Sequence, residues 1–157
     1  MNILVKILPL VLCLCFLAGC QSVAQISEDN QTECPLTGTT PDPSFNLKEA
    51  GTDIYYYINS VSATECEVHI VSMSCAEMVF GKAYHIEKKT GGEYKKLQWK
   101  EAPFFIEIAM IITSDTPYDE KYNWEKYLGA LEKGEYRIAT DFYRNSEKIT
   151  AYFEFCI

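Results

Sequence analysis

The 157-residue sequence predicts an all-β fold, an antiparallel sandwich of about seven or eight strands, in its larger C-terminal part. Short apolar runs rich in aromatic and β-branched residues recur from residue 47 onward, each of ordinary strand length. Residues typical of turns separate these runs. Beyond the first twenty residues, helical periodicity is limited to about one turn around residues 124–131.

The strands can be placed in order along the chain. Residues 54–61 include three consecutive tyrosines and predict the first strand. Residues 66–73 alternate with a period of two, which places Cys66 on an apolar face and His69 on a polar face. The turn signal Thr90-Gly91-Gly92 predicts a hairpin. The other predicted strands cover residues 84–88, 94–99, 104–113, 121–124, 135–143 and 149–155, of which 104–113 is the most apolar and predicts a well-buried strand.

A pattern before the penultimate strand favours one kind of sandwich. Leu131, Gly134 and Tyr136 stand in the order Leu-x-x-Gly-x-Tyr. In immunoglobulin-like sandwiches, a tyrosine at this place donates its hydroxyl to backbone a few residues upstream, an arrangement called a tyrosine corner. Gly134 would form the tight turn and Tyr136 would supply the hydroxyl. The alternative is an ordinary turn followed by a core tyrosine.

A set of motifs is distributed along the predicted domain: Gly81, Tyr84, Ile86-Glu87-Lys88, Asn123-Trp124, Leu128-Gly129, Leu131 and Gly134-Glu135-Tyr136-Arg137-Ile138. Together these motifs resemble the bacterial immunoglobulin-like domains of exported and surface proteins. The resemblance covers about residues 53–157 and implies a sandwich fold without catalytic residues and without a known ligand. The sequence departs from the family pattern at Tyr94, where a tryptophan is expected.

The first nineteen residues have the composition of an export signal. Lys6 precedes an apolar run of about a dozen residues, which is shorter than the roughly 20 that a membrane-spanning helix needs. The run ends in Leu17-Ala18-Gly19-Cys20, which resembles the lipobox of bacterial lipoproteins. That resemblance implies cleavage before Cys20 and a diacylglyceryl group on its thiol, because two acyl chains anchor a protein stably. The alternative is an ordinary cleaved signal peptide with a chance cysteine.

The sequence therefore predicts three parts: a signal peptide at 1–19, a lipid-anchored flexible tether at 20–46, and the sandwich domain at 47–157. The tether is polar and contains Pro35, Pro41 and Pro43, a composition that buries little apolar surface. We expect the mature protein at the cell membrane, facing the extracellular side. Losing Lys6 changes the formal net charge from −8 to −9, which argues against nucleic acid and against an electrostatic hold on anionic lipid.

Motifs for catalysis or metal binding are not evident in the sequence. His69 and His85 lack ligand spacing, and no serine or cysteine has the motif of an activated nucleophile. Asp115, Asp119 and Glu120 are predicted in a loop, where a solvated acidic loop is favoured over a calcium site. We therefore predict no metal, no cofactor and no catalytic residue.

Three classes of function remain open at this point. The first is a non-catalytic module that binds a protein or glycan, and the second is a structural or accessory subunit of a membrane complex. The third is a weak hydrolase that uses paired carboxylates. An exposed patch of several hundred square ångströms would favour the first two. A deep pocket with converging carboxylates would favour the third.

Four cysteines, Cys34, Cys66, Cys75 and Cys156, remain besides Cys20 in the mature part. Cys66 and Cys75 lie at opposite ends of one predicted strand, about 30 Å apart, so they cannot form a disulfide. A last strand parallel to the first favours Cys66–Cys156 with Cys34–Cys75, whereas an antiparallel one would bring Cys156 toward Cys75. Strand alternation opposes the first pairing, because it turns Cys66 inward and Cys156 outward. Free, buried thiols are the remaining alternative.

Overall fold

The computed structural model describes residues 46–157. The predictions for the signal peptide, Cys20, Cys34 and the tether up to residue 45 lie outside the described residues. The described part contains one four-residue helix, α1 (Glu125–Leu128), and strands β1 (Lys48–Gly51), β2 (Ile54–Val61), β3 (Glu65–Ser72), β4 (Met78–Thr90), β5 (Glu93–Lys96), β6 (Met110–Ile112), β7 (Tyr118–Asn123), β8 (Glu135–Arg144) and β9 (Glu147–Cys156).

The strands form two antiparallel sheets. The first sheet has the order β1-β2-β3-β7 and the second has the order β5-β4-β8-β9. β6 pairs with the beginning of β4, and β5 pairs with its end, so both short strands lie along one edge of β4. The sandwich that the sequence predicts is therefore confirmed.

Two tight hairpins set the register of the second sheet. Gly91 and Gly92 connect β4 to β5, and both have positive φ angles, 64° and 87°. Asn145 and Ser146 connect β8 to β9 with φ angles of 49° and 70°. Two-residue turns with positive φ at both positions match the right-handed twist of the paired strands.

The core fills the space between the sheets with large side chains from both. Alternation along β3 and β9 places every second residue inside, as expected of half-buried strands. Trp124 is completely buried, stacks on Phe155 with ring centroids 5.6 Å apart, and donates from Nε1 to the carbonyl O of Ala63 at 2.9 Å. This single side chain ties the start of α1 to the turn before β3.

Most predicted strands are present, with two differences. β1 was not predicted, because Lys48–Gly51 is short and has no apolar alternation. The buried strand predicted at residues 104–113 is wrong: only Met110–Ile112 forms a strand, and Phe104, Ile106, Ile108 and Ile111 are exposed. Within residues 46–157, no helix is long and apolar enough to cross a membrane.

Candidate functional site

The most unusual surface feature is the irregular stretch at residues 103–109, which we call the edge segment. It runs along the edge of the second sheet between β5 and β6 without belonging to a strand. Among residues 46–157, the one backbone hydrogen bond within 103–108 joins the Ile108 N–H to the Ile106 carbonyl O at 3.0 Å. A hydrogen bond between residues two apart closes a γ-turn, so the chain bends at Glu107.

Most side chains of the edge segment face solvent: Phe104 and residues 106–109 are exposed, whereas Phe105 is partly buried. Phe105 turns inward and packs on Tyr84, with ring centroids 5.2 Å apart. Phe104, Ile106 and Ile108 turn outward and are 83%, 51% and 49% exposed. Phe105 is therefore held against Tyr84, while Phe104, Ile106 and Ile108 remain exposed to solvent.

A row of apolar side chains on the outer face of the second sheet continues this surface. Ile111 is 53% exposed and pairs with Val79, which in turn pairs with Tyr143, 45% exposed. Val79, Ile108 and Tyr143 also line one shallow groove beside the edge segment. We call the exposed members of this surface the apolar patch; they are Phe104, Ile106, Ile108, Ile111 and Tyr143.

The rest of the outer face of the second sheet is occupied by interactions between its own side chains. The Arg137 guanidinium lies between the rings of Tyr94 and Tyr152, 4.1 and 4.0 Å from their centroids, and bonds to Glu87 at 2.6 Å. Burial by itself would raise the pKa of the Glu87 carboxyl, but hydrogen bonds from Arg137 and His85 outweigh it and lower that pKa. Tyr94 stands where the family pattern has a tryptophan, and its ring still stacks on the Arg137 guanidinium.

On the outer face of the first sheet, His69 and Asp119 form a polar pair. The Nδ1 of His69 lies 2.7 Å from Oδ1 of Asp119, and Asn59 donates to the same oxygen at 3.0 Å. The His69 ring stacks on Tyr57 with centroids 4.6 Å apart. No group of three or more His, Cys, Asp or Glu side chains within the described part of the chain could hold a metal ion.

The acidic residues predicted in a loop do not form one cluster. Asp119 and Glu120 belong to β7 and, as neighbours on a strand, point to opposite faces. Glu120 is buried and bonds to Lys82 at 2.5 Å, whereas Asp119 is exposed. Only Asp115 lies outside the strand, so the loop prediction is wrong for the other two.

The hydrolase alternative requires two carboxylates that converge in a pocket. One open groove of the domain is lined by two glutamates. Glu135 and Glu154 both contribute to that groove. Glu135 accepts a hydrogen bond from Lys89 at 2.6 Å, and Glu154 accepts one from the Tyr94 hydroxyl at 3.0 Å. Each carboxylate thus has a neighbouring partner, and the groove is open to solvent rather than deep.

The Leu-x-x-Gly-x-Tyr residues lie together at the entry to β8. Tyr136 is buried, and its hydroxyl donates to the carbonyl O of Glu132, four residues upstream, at 2.9 Å. Leu131 packs against the core and donates its N–H to the Ala63 carbonyl O at 2.8 Å. Gly134 exchanges backbone hydrogen bonds with Ile157 at 3.1 and 3.2 Å. This is the geometry of a tyrosine corner.

The described cysteines, Cys66, Cys75 and Cys156, all have free thiols. Cys66 points into the core from β3, and burial raises the pKa of its thiol to about 12. Cys156 is exposed on β9 and points away from the core. The favoured Cys66–Cys156 disulfide is therefore absent, because Cys66 points into the core from the first sheet, whereas Cys156 lies on the outer face of the second sheet. The Cys34–Cys75 pairing stays a prediction.

The outcome for the functional residues is uneven. Sequence patterns identified Tyr136 and the alternation of β3. They did not identify the apolar patch, because most of its residues belong to the run that was predicted to be a buried strand. A signal was present in Glu107, an acid in the middle of the run, and in Pro103 at its start. Both residues are typical of exposed sheet edges.

Two packed antiparallel sheets, a buried tryptophan between them and a tyrosine corner on the penultimate strand define an immunoglobulin-like β-sandwich. The sequence profile of the bacterial Ig-like domain matches residues 48–154, which is most of the chain. The chain therefore belongs to the bacterial Ig-like domain family. A comparison with curated proteins found no match.

Proposed function

We propose that this chain is a lipid-anchored protein of the outer side of the cell membrane whose Ig-like domain binds a protein partner without catalysis. The anchor is Cys20, and the binding surface is the apolar patch. The patch carries the proposal because it groups five of the exposed large apolar side chains on the second sheet and its edge, whereas most apolar residues of the domain are buried between the sheets.

The size of the patch supports a binding role. Its five side chains expose on the order of 500 Å² together, since one large apolar side chain offers roughly 150–250 Å². Contiguous exposed apolar surface of this extent commonly marks an interaction site on a soluble domain. Aromatic and aliphatic anchors of this kind dominate the binding energy of protein interfaces.

The chemistry of the patch favours protein over glycan. A sugar-binding surface combines an aromatic platform with hydrogen-bonding groups that fix the hydroxyls. Among the edge-segment residues, Glu107 is the one with a polar side chain, and its neighbours Ile106 and Ile108 are aliphatic. The polar groups of the second sheet near Arg137 are already bonded to one another.

The proposal is tested by site-specific photo-crosslinking on intact cells. A photoreactive residue at position 106 should give covalent adducts with a protein, because Ile106 lies in the middle of the edge segment. The matched control is position 61, where Val61 is also apolar and 42% exposed, but lies at the end of β2 in the first sheet. Equal adduct yields at the two positions would contradict the proposal.

A further inference from the structure

We infer that the apolar patch binds a basic amphipathic segment of a partner protein, which places apolar side chains on the patch and lysine or arginine side chains against Glu77 and Glu107. This inference rests on the proposed function and names the chemistry of the partner. It is carried by two shallow grooves that connect the patch to these two carboxylates.

The two grooves meet at the same pair of side chains. Val79 and Tyr143 line both grooves, and Val79 also pairs with Ile111 on β6. Glu77 lines the first groove, just before β4, and Glu107 lines the second, at the γ-turn of the edge segment. One acidic residue therefore borders the apolar surface in each groove. An apolar centre with a polar rim is the usual composition of a protein interface.

The Glu77 and Glu107 carboxylates are exposed, and neither takes part in an ion pair within residues 46–157. Among the described residues that line the two grooves, none is a lysine or an arginine. The basic side chains at neighbouring positions of β4, β8 and β9 are bonded to other carboxylates, in the pairs Lys82–Glu120, Arg144–Asp53 and Lys148–Asp141. The surface around the patch therefore carries negative charge that the domain itself does not neutralise.

Two open grooves at the opposite end of the domain differ in this respect. Lys89 lines one of them and Lys48 lines the other. The Glu135 and Glu154 carboxylates at that end already accept hydrogen bonds from side chains of the domain. The acidic border of the patch thus does not simply follow from the acidity of the whole domain.

A basic amphipathic segment complements both features of this surface. Burial of its apolar side chains against Val79, Ile108 and Tyr143 supplies binding energy. Its cations steer the encounter and fix the orientation of the segment against Glu77 and Glu107. An acidic segment would bring like charges together, and a neutral segment would desolvate the carboxylates without a counter-charge.

Charge reversal on the full chain tests this inference on intact cells. With the photoreactive residue at position 106, Glu77→Lys combined with Glu107→Lys should lower the yield of protein adducts about tenfold, because each change replaces an attraction with a repulsion. The matched control is Glu93→Lys combined with Glu125→Lys, which changes the net charge equally. Both of those carboxylates are exposed and lie at the opposite end of the domain, so the control should keep the original yield.

Two synthetic peptides of equal length give a second readout with the purified full chain. One peptide alternates leucine with lysine, and the other has glutamate in place of each lysine. The basic peptide should crosslink to position 106, with a yield that falls as the salt concentration rises, whereas the acidic peptide should give background yield. In the chain with Glu77→Lys and Glu107→Lys, the preference should change to the acidic peptide.

The outcomes separate this inference from the proposed function. Undiminished protein adducts after charge reversal at Glu77 and Glu107, or equal crosslinking of the two peptides, would exclude a basic segment as the partner. Protein adducts at position 106 that exceed those at position 61 would then leave the proposed function standing. Adducts at position 106 with lipid instead of protein would overturn both.

Discussion

At the scale of single residues, Tyr136 shows how one hydroxyl fixes a connection between strands. Its ring is buried and stacks on Phe155 with centroids 5.6 Å apart. The hydroxyl holds the backbone at Glu132, in the turn between α1 and β8. Because Gly134 is bonded to Ile157 at the end of β9, this corner also fixes where the last two strands begin and end.

Tyr136→Phe should lower the free energy of unfolding by about 1–3 kcal/mol, because it leaves the Glu132 carbonyl without its donor. The matched control is Tyr122→Phe: the buried Tyr122 hydroxyl has no well-formed hydrogen bond among residues 46–157 and only a weak interaction with the Thr140 side chain, so its removal should be close to neutral. Urea unfolding midpoints measure both. Equal midpoints for the two variants would mean that Tyr136 acts only as a core ring.

At the scale of elements, an ion pair joins the two sheets. Lys82 lies in the irregular part of β4 where its register with β8 shifts, and Glu120 lies on β7 of the other sheet. Their side chains meet at 2.5 Å, with Glu120 buried and Lys82 30% exposed. Burial raises the pKa of the Glu120 carboxyl, and the Lys82 ammonium opposes that rise. For Lys82, burial lowers the pKa, but the bond to Glu120 outweighs it and raises the pKa.

Lys82→Met should destabilise the fold at pH 7 by about 2–3 kcal/mol, somewhat less than for a fully buried pair, because it leaves a buried carboxylate without its cation. The pKa of Glu120 then rises further above its unfolded value of about 4.3, so the folded state retains a proton that the unfolded state releases. The penalty is therefore present at pH 7 and shrinks as the pH falls toward 5. Urea midpoints at both pH values check this.

The double variant Lys82→Met with Glu120→Gln is the control for that experiment. It removes the buried charge as well as its partner, so it should recover much of the lost stability and lose most of the pH dependence. A Lys82→Met variant with the same deficit at pH 5 and pH 7 would contradict the role given to Glu120.

The strand bounds were predicted most accurately for strands that have one buried face and one more exposed face. β2 coincides with the predicted 54–61, and β3 and β8 lie within one residue of their predicted bounds, because one side of each meets the core. The strand predicted at residues 104–113 was wrong because the run is mostly apolar and shows no clear difference between two faces. Apolar composition shows that a run can be buried, but not whether another element is present to cover it; here Met110 and Ile112 are buried and Phe105 is only partly buried.

At the scale of the whole molecule, local patterns predicted the sandwich but not the apolar patch. Hairpin pairing follows from alternation and turns, which are properties of neighbouring residues. The apolar patch depends on how the edge segment lies beside β4 before β6 pairs with it, which only the assembled fold determines. The cysteines show the same limit: alternation pointed Cys66 inward and Cys156 outward, yet the shared end of their strands favoured a disulfide that does not form.

The membrane anchor is the part of the proposed function that can be tested without the folded domain. Cys20→Ala removes the thiol that would carry the diacylglyceryl group, so fatty-acid labelling of the chain should be lost and an uncleaved precursor should accumulate. Cys34→Ala is the matched control, since it removes a thiol from the same region of the sequence and should label like the wild-type chain. Equal labelling of the Cys20→Ala and Cys34→Ala chains would show that the anchor lies elsewhere.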